Sequence, residues 1–135
     1  MSKMQRVKGQ TGEREFAHLI EDNLGVECHR RIEQTRDSGH DLDLYEYAIE
    51  VKRSKTKNIK GWWRQTATNA NLINKIPVLV YRLDRKKWCV VMSLGHVING
   101  YGYPVSEIDS VDPENTDMIL TFTLAGWFHY VKQKL

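Results

Sequence analysis

The sequence predicts one α/β domain in which helices pack on a central mixed sheet. Three observations lead there. Helix-like and strand-like patterns alternate along most of the chain. The run PVLVYRL, residues 77–83, is near-continuously apolar, as a strand buried on both faces would be. The 135 residues, 41% of them hydrophobic, fit one compact domain with one core.

The elements follow in order. Thr11 is placed to cap a helix from about Gly12 to Leu24. Phe16, Leu19, Ile20 and Leu24 recur at helical spacing, and Gly25 supplies the stop. Residues 26–31 predict a short strand, and the polar stretch 32–39 a loop. Two strands, about 40–45 and 48–53, predict a hairpin. Residues 57–74 predict a second helix carrying Ile59, Trp62, Trp63, Ala67, Ala70 and Ile73. The strand 77–83, the turn DRKK and the returning strand WCVVMS come next. Beyond Ser93 the pattern weakens to a loop at YGYP, a strand at MILTFTL and a short final helix at AGWFHYVKQ. A helical link between the third and fourth strands predicts a right-handed parallel crossover. The hairpin strands therefore belong inside the sheet and not on its edge.

Composition narrows the class. No apolar run approaches the roughly 20 residues of a membrane helix. The start MSKMQRVKGQ has no apolar signal region. Cys28 and Cys89 form no CxxC pair, and Cys28, His29 and His40 match no common zinc spacing. A reduced, cytoplasmic protein with no membrane attachment is expected. The net charge of +3 hides an asymmetry: residues 1–87 hold 18 Lys/Arg against 12 Asp/Glu, and residues 88–135 hold 2 against 5. Lys52, Arg53, Lys55, Lys57, Lys60 and Arg64 fall within 13 residues. So dense a basic stretch fits a polyanion partner, or else a solvated, solubilising face.

The hairpin GHDLDLYEYAIEVKR carries charge where a plain sheet would carry Thr or Val. Alternation puts Ile49 and Val51 on one face and Glu50 and Lys52 on the other. Leu42 and Leu44 likewise oppose Asp41 and Asp43. One face is then apolar and packs on a helix. The other brings Asp41 or Asp43 beside Glu50, with Lys52 one pleat along. Paired carboxylates repel, and a cation between them removes the difficulty. Clustered carboxylate oxygens suit Mg²⁺, and a lysine beside it could orient or help deprotonate an attacking water. That is the equipment of metal-assisted phosphodiester hydrolysis, and the basic run would bind the polyanion being cut.

These residues and their flanks resemble the PD-(D/E)XK nuclease superfamily, and within it the archaeal-type Holliday junction resolvases and small phage-encoded relatives. KGQTGERE is similar to the family's Gly-x-x-x-Glu opening, with Gly9 and Glu13 in the matching places. DSGHDL resembles its Ser-Gly loop and metal-binding Asp, here Asp41, with His40 where a Pro is usual. IEVKR matches the Glu-x-Lys strand through Glu50 and Lys52, and WWRQ resembles the next helix, with Gln65 as its Gln. The likeness covers about residues 8–93. It implies a restriction-endonuclease-like α-β-β-β-α-β core. It also implies Mg²⁺ or Mn²⁺ held by Asp41, Glu50 and the Val51 carbonyl. Lys52 would position the nucleophilic water, Glu13 would reach the site from the first helix, and Gln65 would orient the water or Lys52. Products would carry 5′-phosphates. The implied partner is DNA, branched or junction DNA above all, cut by a homodimer that makes symmetric nicks. A nuclease of the same fold with another task, such as nicking, end processing or defence, is the alternative. A binding module without catalysis would not need Asp41, Glu50 and Lys52 together.

Further residues are candidates for DNA contact: Lys8, Arg30, Arg31, Arg36, Arg53, Lys55, Lys57 and Lys60. Arg30 or Arg31 could equally pair with Glu33. Trp62 and Trp63 are adjacent and cannot share a helix face, so one is expected on the sheet; the other is either packed as well or exposed for base stacking or a dimer contact. Trp127, Phe128 and Tyr130 are expected on the sheet or in an interface.

Overall fold

A computed structural model describes residues 3–30, 40–100 and 111–134. The chain runs α1 (Lys3–Leu24), β1 (His29–Arg30), β2 (Leu42–Leu44), β3 (Tyr47–Ser54), α2 (Ile59–Leu72), β4 (Ile76–Leu83), β5 (Cys89–Ser93), α3 (Leu94–Gly100), β6 (Ile119–Thr123) and α4 (Leu124–Lys134). The six strands form one sheet in chain order. Only β3 and β4 are parallel, in register from Tyr47↔Ile76 to Ser54↔Leu83, and α2 is their crossover. The other neighbours are antiparallel. This is the expected mixed α/β sheet, with the hairpin strands inside it. No helix among the described residues is long and apolar enough to cross a membrane.

Strand alternation splits the core in two. Leu42, Leu44, Ile49, Val51, Val78 and Val80 face α1 and α4, where they pack with Phe16, Ile20, Trp127 and Tyr130. Leu79, Tyr81 and Val91 face α2 and pack with Trp63 and Ala67. β4 is thus covered on both sides, which is why its sequence is apolar throughout. Glu50 and Lys52 lie on the α2 side of β3, opposite the larger core.

Several boundaries differ from the sequence reading, each for a physical reason. α1 begins at Lys3, so Thr11 lies inside it and is no cap. Gly9 and Gly12 mask this continuity, because glycine usually marks a helix end. Gly12 serves packing instead: a Cβ there would come within 2.9 Å of Arg53 Cγ and Cδ. Gly25 does end the helix, at φ +69 with its N–H on the Glu21 carbonyl at 2.9 Å. β1 is two residues long, shorter than the expected 26–31. α3 is absent from the sequence reading. Ser93, the last residue of β5, caps it by accepting the His96 N–H at 3.2 Å. Thr123 at the end of β6 caps α4 in the same way through Gly126 N–H at 3.0 Å. The loop expected at YGYP lies outside the described residues. Near the C-terminal end β6 widens the sheet, and Trp127 and Tyr130 are fully buried in the larger core.

Candidate active site

The site starts from β3. Glu50 is almost wholly buried, and its Oε1 lies 3.5 Å from Lys52 Nζ. Lys52 Nζ also donates to Gln65 Oε1 at 2.9 Å, so α2 holds the ammonium from above. Asn69 lies one turn beyond Gln65, reaches the Glu50 carboxylate and favours its charged form. Sequence reasoning missed Asn69; its signal is the i, i+4 spacing from Gln65 on one helix face.

Asp41 comes from the entry to β2. Its N–H donates to the Ile49 carbonyl at 2.9 Å, and its Oδ2 accepts the Val51 N–H at 2.8 Å. The register that pairs Leu42 with Ile49 sets Asp41 beside Glu50. Glu13, from α1, is a side-chain hydrogen-bond partner of Asp41. Three carboxylates therefore converge on β3 from three elements.

Their electrostatics follow. Burial pushes Asp41 up to about 8; Glu50 and Glu13 add to the rise, and the Val51 N–H opposes it. Burial likewise raises Glu50 to about 7 despite the neighbouring Lys52. Glu50 Oε2 is buried without a hydrogen-bond partner, as are Arg53 Nε and Trp63 Nε1 among the described residues. A partnerless buried carboxylate oxygen is costly. No three His, Cys, Asp or Glu side chains among the described residues are already arranged around one cation position. The donor chemistry still fits a hard divalent cation: two adjacent carboxylates, one with an unused oxygen, repelling each other in a partly desolvated place.

Asp43 sits apart. It pairs with the buried His40 and, at 3.0 Å, with Lys75. Burial raises its pKa, but His40 and Lys75 outweigh that and hold it below the usual carboxylate range. Cys28 directs its thiol at the Asp43 carbonyl, 3.5 Å away, and burial pushes it up to about 12.

The expected DNA-contact residues divide. Lys55, Lys57 and Lys60 are exposed around the β3–α2 loop. Lys8 is bound to Asp84 at 2.6 Å. Arg53 lies against α1 on the opposite face from Lys52, 3.8 Å from Glu15. Arg64, from the same basic run, is paired with Glu114 at 2.6 Å. Arg30 contributes its backbone to β1, and Arg31 and Arg36 lie outside the described residues. Trp63 is fully buried under α2, and Trp62 is half-buried against Tyr81, ring centroids 5.6 Å apart.

A curated relative, Protein D14 of Escherichia phage T5, is 25% identical over 64% of this chain and 69% of its own length. Residues 4–135 match the family described as "Phage putative PDDEXK endonuclease", which extends the likeness beyond residue 93 into α3, β6 and α4. The chain belongs to that phage PD-(D/E)XK endonuclease family.

Proposed function

We propose that this protein is a metal-dependent DNA endonuclease that hydrolyses phosphodiester bonds in branched DNA, as a Holliday junction resolvase does, and that it acts as a cytoplasmic homodimer. The observation that carries the reading is the meeting of Glu13, Asp41 and Glu50 beside Lys52, with Glu50 Oε2 buried and unpartnered. A fold selected for stability alone gains nothing from such a cluster. Asp41, Glu50 and the Val51 carbonyl would hold Mg²⁺ or Mn²⁺, which when bound supplies Lewis acidity toward the phosphate and a water acidic enough to attack near neutral pH.

The remaining roles fall to this chain's own groups. Lys52 has three donors; one is spent on Gln65, a second faces Glu50 Oε1, and the third is available to orient the attacking water or a scissile-phosphate oxygen. Gln65 fixes the ammonium, and Asn69 steadies Glu50. Glu13 shares a hydrogen bond with Asp41 and so provides a place for a proton near the reacting centre. Lys55, Lys57 and Lys60 bind neighbouring phosphates. The junction preference and two-fold assembly rest on the likeness to resolvases, which nick a symmetric substrate in pairs.

The test is a cleavage assay in Mg²⁺ with a labelled four-way junction, linear duplex and single-stranded DNA. Paired symmetric nicks in the junction alone support the full reading. Cleavage of every substrate keeps the chemistry and removes the junction preference. Binding without cleavage in either metal overturns the catalytic reading.

A further inference from the structure

The sequence reading treated DRKK only as a turn. Its place in the fold suggests more. β3 and β4 run parallel with Arg53 opposite Arg82 and Ser54 opposite Leu83, so the β4–β5 turn stands beside the start of the β3–α2 loop. The Asp84 N–H is bonded to the Ser54 carbonyl at 3.1 Å, which joins the two segments directly. Arg85, Lys86 and Lys87 are all exposed there. The one acid in the turn, Asp84, is taken up by Lys8 at 2.6 Å.

The turn is also built and held. The Lys86 N–H closes it on the Leu83 carbonyl at 3.0 Å. The Arg82 side chain clamps it from beneath, donating to the Lys86 carbonyl at 2.9 Å and to Glu15 at 2.7 Å. Arg85 occupies its third position at φ +62, where a side chain is strained and glycine is favoured. An arginine kept at a glycine position, exposed and with no hydrogen bond or ion pair among the described residues to explain it, points to a use for its side chain.

We propose that the β4–β5 turn and the β3–α2 loop form one rim, Lys55, Lys57 and Lys60 with Arg85, Lys86 and Lys87, that grips the phosphate backbone of nucleic acid flanking the cut. This rests on the nuclease reading above. Along β3 the rim begins three residues beyond Lys52, roughly 10 Å at strand rise. That is about three steps of duplex DNA at 3.4 Å each. A strand with its reacting phosphate at Lys52 would thus carry its next phosphates across the rim.

The test is binding of labelled junction and duplex DNA across a salt series without metal, comparing wild type with Arg85→Gly, Lys86→Gln, Lys87→Gln combined. Arg85→Gly relieves the strained φ, and both turn bonds of Lys86 come from its backbone, so the variant should melt no lower than wild type. The expected result is weaker binding to all sequences alike and a salt slope shallower by about 2–3, near one per lost contact. Lys132→Gln, at an exposed position of α4, should lose less than half as much. An unchanged slope in a protein that binds and cuts DNA overturns this inference alone. An equal loss in Lys132→Gln also overturns it, since net charge would then suffice. Wild-type protein that binds no DNA overturns both this inference and the nuclease reading.

Discussion

Glu50 sits where water barely reaches it, beside a second carboxylate and one lysine. That arrangement has a pH signature. The folded-state pKa values of Asp41 and Glu50, about 8 and about 7, exceed their ordinary values of 3.8 and 4.5. The folded state then binds protons the unfolded chain has already released, so stability falls as pH rises through that window. Asp43 is shifted the other way, so its effect falls at more acid pH. In chelator the melting temperature should therefore decline from pH 5 to pH 9, and Mg²⁺ or Mn²⁺ should restore most of the loss. Glu50→Gln should melt above wild type at pH 9 and converge with it at pH 5; a flat wild-type profile would contradict the buried cluster. Much of this was legible in the sequence, because a strand's period of two fixes Glu50 and Lys52 on one face. The same alternation could not separate Asp41 from Asp43. In the structure Asp43 is instead paired with His40 and Lys75, and Lys75 arrives only when β4 docks. Asn69 was invisible because its role depends on how α2 is rotated over the sheet.

The crossover helix α2 closes the site. Trp63, Thr66, Ala67 and Ala70 bury its sheet-facing side, and Gln65 and Asn69 reach β3 beside them. Gln65→Ala and Asn69→Ala should each slow cleavage by about 10–100-fold, the usual effect of removing a group that orients a metal-site residue. DNA affinity should stay near wild type, which separates orientation from binding. Asn58 caps α2 by accepting the Gly61 N–H at 3.2 Å. Asn58→Ala should cost about 1 kcal/mol in urea unfolding. The strongly periodic elements were readable, and the others failed for local reasons. Glycines at 9 and 12 hid the first half of α1, although Gly12 is where α1 closes on Arg53. α3 has seven residues and only a short apolar pattern, so its capping Ser93 was the one available sign.

Among the described residues, α1, α4 and Val97 of α3 pack on one face of the sheet and α2 on the other, which leaves β3 supplying side chains to both. The charge asymmetry of the sequence becomes spatial: the exposed lysines after β3 and the β4–β5 turn gather at one end of the parallel pair. If paired nicking is the task, light scattering should give about 32 kDa, twice the 15.8 kDa chain. A strict monomer would favour a nuclease that makes single cuts.

The measurement closest to the central claim is single-turnover cleavage of a labelled four-way junction in Mg²⁺, with binding followed on the same samples, for wild type, Glu50→Gln and Lys52→Ala. Wild type should cut, and chelator should stop it. Both variants should bind DNA nearly as well and cut slower by on the order of 10³-fold, matching several kcal/mol of lost charge stabilisation. Cleavage by Glu50→Gln at the wild-type rate would contradict the account.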